Sequence, residues 1–250
     1  MMIPKIIHYC WFGKAPLPEL AKRCIASWRM YMPEYEIKEW NESNFDVGII
    51  AYTQEAYLAG KYAFVSDYAR FWILYNYGGV YFDTDVEIIK PLSDIIDRGP
   101  FMGVECNSGD SCAPGLGLAA TMRMPVYKTI LDYYNSLHFK KADGTFDMTT
   151  VVSYTSRILI DRGLTASDDI QFIAGVYIYP KDYFCPVSPH SKRMLITDNT
   201  RTIHHYAGTW VDPTLKNRMK KKAHRILNLI LGEIGHDKVV PLIRAIKRKR

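Results

Sequence analysis

The sequence offers little from which to build a covalent scaffold. Its five cysteines (Cys10, Cys24, Cys106, Cys112 and Cys185) are odd in number, irregularly spaced and form no Cys-x-x-Cys pair. A disulfide framework or a zinc cage is therefore excluded as the organising device, and a reducing cytosol is the expected compartment. No run of about 18 apolar residues occurs, so no transmembrane helix is expected. The opening Met-Met-Ile-Pro-Lys-Ile-Ile-His lacks a basic stretch followed by a long apolar one. It reads as a first strand and not as a secretory leader. There is no internal repeat, no low-complexity tract, no Gly-x-Gly-x-x-Gly, no phosphate loop and no Gly-x-Ser-x-Gly elbow.

What is present is globular. The 250 residues suffice for one domain with a full core and a small appendage. The net charge of +6 hides an asymmetry, because residues 214–250 carry twelve Lys/Arg against only Glu233 and Asp237. That tail is +10 and the rest of the chain is −4. A positive tail on a negative body argues against an extended nucleic-acid groove, and no nucleic-acid partner is expected. The tail is suited to an anionic membrane surface. The 18 tyrosines suit pockets for ligands with rings and hydroxyls, although most are expected in the core and at its boundary.

Hydrophobic spacing predicts alternating strands and helices. Residues 5–10 read as a buried strand. Residues 17–32 read as a helix, with Leu20, Cys24, Ile25, Trp28 and Met32 at helical spacing, and residues 35–40 as a strand. A second helix over 61–77 is closed by Gly78-Gly79, because glycine takes the left-handed conformation of a helix C-cap. Val80 to Asp83 then reads as a strand. Further strands are expected near 101–105, 117–121, 171–173, 176–179 and 201–205, and helices near 125–137 and 148–162. Such alternation implies α/β architecture with a mostly parallel sheet covered on both faces. Sheets of this kind bind ligands beyond the carboxyl ends of their strands. Pro213 marks a boundary between this body, residues 1–212, and a basic helical tail, residues 213–250.

The densest chemistry lies in Ser66-Asp67-Tyr68-Ala69-Arg70, Gly78-Gly79 and Tyr81-Phe82-Asp83-Thr84-Asp85. Asp67 and Arg70, three apart, share a helix face. Asp83 and Asp85, two apart, share a face if the strand stays extended. Converging carboxylates repel unless a cation sits between them, and Mg²⁺ or Mn²⁺ takes such oxygen ligands together with substrate phosphates. A lone Asp-x-Asp is commonly a solvated turn. Here the pair ends an apolar strand, where a solvated turn explains less.

This arrangement resembles the sugar-binding region of glycosyltransferase family 32 and the glucosyltransferase domains of the large clostridial toxins. The opening Ile3-Pro4-Lys5-Ile6-Ile7-His8-Tyr9-Cys10-Trp11-Phe12-Gly13 fits the same pattern, as does His204-His205-Tyr206-Ala207-Gly208-Thr209-Trp210. The resemblance implies a GT-A fold, a Rossmann-like nucleotide-binding sheet flanked by helices. It also implies roles. Trp11 stacks on the nucleobase, and Asp67 and Arg70 hold ribose and sugar hydroxyls. Asp83 contacts the ribose or sugar, Asp85 binds the metal, and Trp210 donates its indole N–H to the diphosphate. His204 and His205 point to opposite faces of an extended strand, so one of them reaches the metal, and the family pattern favours His205. Thr209 stands where the family often has serine, which keeps the hydroxyl.

The activity so implied is a metal-dependent, retaining transfer of a sugar from a nucleoside diphosphate sugar, a UDP-sugar foremost, using Mn²⁺ or Mg²⁺. The acceptor is a saccharide or lipid-linked saccharide in capsule, O-antigen or exopolysaccharide synthesis. The implied location is cytoplasmic, or peripheral on the inner face of the cell membrane through residues 214–250. Two alternatives stay open: a metal-dependent nucleotide-sugar hydrolase, and a non-catalytic carbohydrate- or nucleotide-binding protein. The stretch Gly115-Leu116-Gly117-Leu118 reads either as a loop that approaches the sugar closely or as a turn entering a strand. Asn107, Asp110, Asp143 and Asp147 read as ordinary loop residues with a minor claim on the acceptor.

Overall fold

A computed structural model describes residues 2–105, 110–186 and 194–208. One compact unit, Met1–Pro186 with Ile196–Ala207, carries every element named here. Trp210, Asn107, the boundary at Pro213 and the basic tail lie outside the described residues.

The chain begins with β1 (Ile6–Cys10), α1 (Glu19–Tyr31), β2 (Glu36–Trp40), α2 (Ala51–Leu58), α3 (Tyr62–Tyr77) and β3 (Gly79–Tyr81). It continues with β4 (Val86–Ile88), α4 (Ser93–Arg98), β5 (Phe101–Gly103), β6 (Leu118–Ala120), α5 (Pro125–Asn135) and α6 (Val151–Ile160). It ends with β7 (Gln171–Ile173), β8 (Val176–Tyr179), α7 (Lys181–Phe184) and β9 (Thr202–His204).

Seven strands form one sheet in the order β2-β1-β3-β6-β5-β8-β7. β1 runs parallel to β2 and β3, and β5 parallel to β8, while β6 and β7 run against their neighbours. The sheet is thus mixed but mostly of one direction, as the alternation of strands and helices implies. Both faces are covered. Cys10, Tyr81, Leu118 and Ala120 lie in an apolar cluster with α3, α5 and α6 residues. Ile7, Tyr9, Val80, Phe82 and Ala119 lie in a second cluster with α1 and α4 residues. β1, β3 and β6 therefore alternate between two cores, which is why they read as continuous apolar runs. Among the described residues, no helix is long and apolar enough to cross a membrane.

Strand β9 does not join the large sheet. It pairs antiparallel with β4, setting Val86 against His204 and Ile88 against Thr202. The Trp28 indole N–H donates to the Val86 carbonyl at 2.7 Å, pinning α1 to this ribbon.

At the start of β3, Gly78 caps α3 with φ 64° and Gly79 follows with φ 96°. A Cβ on Gly79 would lie 2.6 Å from the Ile6 carbonyl oxygen and 3.0 Å from His8 Nε2, so both position and conformation demand glycine. His8 itself is fully buried. Its Nδ1 accepts from Trp40 Nε1 at 3.1 Å, so its Nε2 carries the hydrogen and donates to the Gly78 carbonyl at 3.0 Å.

Candidate active site

The carboxyl ends of the parallel neighbours β1 and β3 lead into Trp11 and into the Asp83-Thr84-Asp85 segment. Beyond its named end, β3 stays bonded on both sides. Phe82 N donates to the His8 carbonyl at 3.2 Å, and Asp83 N to the Gly115 carbonyl at 3.0 Å. The strand then stops, because Val86 N donates to the Asp83 carbonyl at 3.1 Å and closes a tight turn. Aspartate is favoured at the first position of such turns. Asp83 and Asp85 therefore do not share a strand face, contrary to the period-two expectation. They face different partners.

Asp83 follows the alternation of Tyr81 and faces α3. There Arg70, 4 % exposed, holds two carboxylates. Its Nη2 lies 3.0 Å from Asp67 Oδ1 and 3.3 Å from Asp83 Oδ1. Its Nε donates to the Ser66 carbonyl at 3.0 Å. The Tyr81 hydroxyl donates to Asp83 Oδ1 at 3.2 Å, and its ring lies 5.1 Å from the guanidinium carbon. The helical spacing of Asp67 and Arg70 thus becomes a buried cluster and not a surface pair. Burial pushes the Asp67 carboxyl up to about 6, aided by Asp83 and opposed by Arg70 and the backbone N–H of Val151 at the start of α6. Burial works against the charge on Arg70, yet Asp83, Tyr81 and Asp67 together hold its pKa above the ordinary value.

Asp85 faces the segment after β9. Its Oδ1 lies 3.2 Å from His204 Nε2, its Oδ2 accepts from Ala207 N at 2.8 Å, and its carbonyl accepts from His205 N at 3.0 Å. His205 turns away and its Nε2 meets Glu87 Oε2 at 2.7 Å. The histidine brought to the motif is therefore His204 and not His205. The reason is the turn, which takes Asp85 out of the strand alternation that would have placed it on the face of His205. Burial alone would raise Asp85, but His204 and the Ala207 amide hold it below the usual carboxylate range. Burial alone would lower His204, but Asp85, with Asp83 and Glu105, holds it above the usual imidazole range.

Trp11 is half-buried at the end of β1, packed against the cluster on the α1 side. Its indole N–H is committed to the Ala15 carbonyl at 2.6 Å, which leaves the ring face as its means of recognition. Asp143 and Asp147 hold their own loops, each accepting from a threonine two residues on.

Three further residues belong to the site. Tyr81 was legible, since it stands two before Asp83 on an alternating strand. Val151 carried no signal. Gly115 stood in a glycine pair whose neighbour was not evident, and it lies against Asp83.

A resident divalent cation would find Asp85 Oδ1 and His204 Nε2 converging, with the buried His204 Nδ1 lacking a hydrogen-bond partner. Among the described residues no group of three His, Cys, Asp or Glu side chains is arranged for a metal. Two side-chain donors fit an ion whose remaining positions are filled by substrate phosphates and water, the habit of Mg²⁺. They do not fit a closed protein cage.

Comparison with known proteins agrees with this region. Residues 18–102 match the family model described as glycosyltransferase sugar-binding region containing DXD motif. Inositol phosphoceramide mannosyltransferase 1 of Schizosaccharomyces pombe is 29% identical over 111 residues, 40% of this chain and 33% of that protein. The chain thus spans about a third of that relative's length. Among solved structures, the PaToxG glycosyltransferase is 20% identical with a TM-score of 0.47, covering 64% of this chain and 69% of the other. An active-site mutant of LgtC is 12% identical with a TM-score of 0.39, covering 87% of this chain and 95% of the other. Both structural likenesses are distant. Asp83-Thr84-Asp85 falls inside the matched stretch, so the region of the chain that holds the motif is similar to a glycosyltransferase sugar-binding region containing DXD.

Proposed function

We propose that the protein transfers a glycosyl group from a nucleoside diphosphate sugar, a UDP-sugar foremost, to a saccharide hydroxyl, with Mn²⁺ or Mg²⁺ bound at Asp85 and His204. The observation that carries this reading is the meeting of Asp85 and His204 from distant parts of the chain beside the buried Arg70 cluster. One side of the motif offers donors for a cation and its diphosphate. The other offers carboxylates that accept from ribose and sugar hydroxyls. The matched sugar-binding region and the mannosyltransferase relative support transfer over mere binding.

In this reading the Trp11 ring carries the nucleobase on its face, as aromatic faces carry planar rings. Asp67 and Asp83 accept from hydroxyls of the ribose and sugar, their carboxylates oriented by Arg70 and Tyr81. Arg70 also brings fixed positive charge close to the reacting centre, where preorganised charge is most effective. A divalent ion, when bound, neutralises charge on the departing diphosphate. Transfer breaks the bond from the anomeric carbon to phosphate and forms one to the acceptor oxygen. Retention follows if the leaving phosphate oxygen takes the acceptor proton on the same face, and this needs no enzyme nucleophile. Trp210 is proposed as a further donor to the diphosphate. The acceptor is proposed to be a growing or lipid-linked saccharide of a cell-surface polysaccharide, which the basic tail would let the enzyme meet at an anionic membrane.

The test is a panel of UDP- and GDP-sugars with Mn²⁺, scored by nucleoside diphosphate release with and without saccharide acceptors. Release that rises with acceptor, and stops in excess chelator and in Asp85→Ala, is expected. Release equal with and without acceptor would make the protein a hydrolase, and full activity in chelator would remove the metal from the mechanism.

A further inference from the structure

We infer that Gly115 is a positioning residue: its missing side chain is the seat of the Asp83 carboxylate. The inference deepens the donor-site reading above and rests on it for its functional consequence.

β6 pairs with β3 antiparallel, Tyr81 opposite Leu118. The pairing continues past both strands, since Asp83 N donates to the Gly115 carbonyl at 3.0 Å. The backbone at 115 is thereby laid against Asp83. On the other side, Asp83 Oδ1 is taken by the Tyr81 hydroxyl and by Arg70 Nη2. Oδ2 is left over the glycine. A Cβ built there would fall onto Asp83 Oδ2, 2.8 Å from its Cγ and 3.3 Å from Arg70 Nη1. Those three atoms are the nearest that such a Cβ would meet, so the space is reserved for this carboxylate and its guanidinium.

The backbone itself makes no such demand. Gly115 is not among the glycines with positive φ, whereas Gly117, two residues on, is at φ 146°. Alanine fits the Gly115 conformation, and its one added methyl meets only the site. That separates the two glycines of the pair. Gly117 serves the turn into β6, and Gly115 serves Asp83. With alanine at 115, Asp83 must rotate or withdraw, giving up its hold on Arg70 and Tyr81 without any functional group being deleted.

The test is a double-mutant cycle of Gly115→Ala and Asp83→Ala, read in two ways. Thermal melts of the four proteins need no ligand. Gly115→Ala should lower the melting temperature when Asp83 is present and leave it unchanged in the Asp83→Ala background, where the carboxylate is gone. Equal losses in both backgrounds would overturn the inference. Calorimetric titration with UDP and with GDP, each with Mn²⁺, gives the second reading. Gly115→Ala should weaken nucleotide binding at least fivefold in the presence of Asp83 and by less than twofold in its absence. Tight binding by Gly115→Ala where Asp83→Ala binds poorly would overturn the positioning role. If Asp83→Ala binds as well as the unaltered protein, or neither nucleotide binds it, the donor-site reading fails and the positioning role with it. The melts then still show whether Gly115 and Asp83 are coupled, which tells the two failures apart.

Discussion

Arg70 is one guanidinium serving two carboxylates in a place that water scarcely reaches. Removing it leaves Asp67 and Asp83 facing each other uncompensated, and breaking a buried ion pair this way costs about 3–5 kcal/mol. Arg70→Ala should accordingly lose stability on that scale in urea melts as well as lose activity; an unchanged midpoint would mean that the cluster is solvated. Arg70→Lys should restore much of the stability and little of the activity, because an ammonium lacks the planar fork. The two histidines allow a sharper comparison. His204→Ala should reduce metal-dependent turnover on the order of 10²-fold, the scale on which a preorganised electrostatic contact acts. His205→Ala should stay within a few-fold, having removed a partly exposed pair with Glu87. The reverse ranking would return the metal to His205. At this scale the sequence was legible in residue identity and not in direction. The spacing of Asp67 and Arg70 placed them on one helix face, and they are paired. Period-two spacing sets Asp83 and Asp85 on one strand face because it assumes an extended backbone. The turn between them decides which histidine each aspartate can see.

The helices with one-sided apolar patterns, α1 and α5, stand where the pattern puts them. α3 ends at Gly78 as its glycines imply, and β7 and β8 occupy the expected residues. Strand direction is absent from periodicity, so the reversal of β6 was not readable. β4 has three residues and too few apolar positions to show a period, and α2 lacks a one-sided apolar pattern. The join between α3, β1 and β3 supports two stability predictions. Gly79→Ala combines a forced positive φ with a 2.6 Å approach to the Ile6 carbonyl. It should cost at least about 2 kcal/mol, the left-handed strain supplying about half. A melting temperature equal to that of the unaltered protein would contradict the strain. His8 supplies the second. Burial lowers its pKa from 6.5 to about 4, against the favourable Gly78 carbonyl and with help from Lys38. A base whose folded pKa is depressed binds fewer protons folded than unfolded between those values, so stability falls as pH drops through that window. The loss should total on the order of 3 kcal/mol by pH 4. The stability difference between His8→Gln and the unaltered protein should change with pH by that amount; a difference constant from pH 7 to 4 would show that His8 is not held neutral.

At the scale of the whole molecule, charge is segregated between a −4 body and a +10 tail. Each basic residue near an anionic surface contributes about 1 kcal/mol, so a few give reversible membrane binding. The full chain should pellet with anionic vesicles at low salt and release at high salt, while a chain ending at residue 212 stays in the supernatant. Failure of the full chain to pellet at low salt would remove the membrane from the proposal. The same scale exposes a consequence of the Asp83 to Val86 turn. Asp83 is seated by the large sheet and α3, from residues no later than Gly115, whereas Asp85 is seated by His204 and Ala207. The two carboxylates thus have separate supports: a change at His204 or Ala207 should loosen Asp85 while Asp83 keeps Arg70, Tyr81 and Gly115.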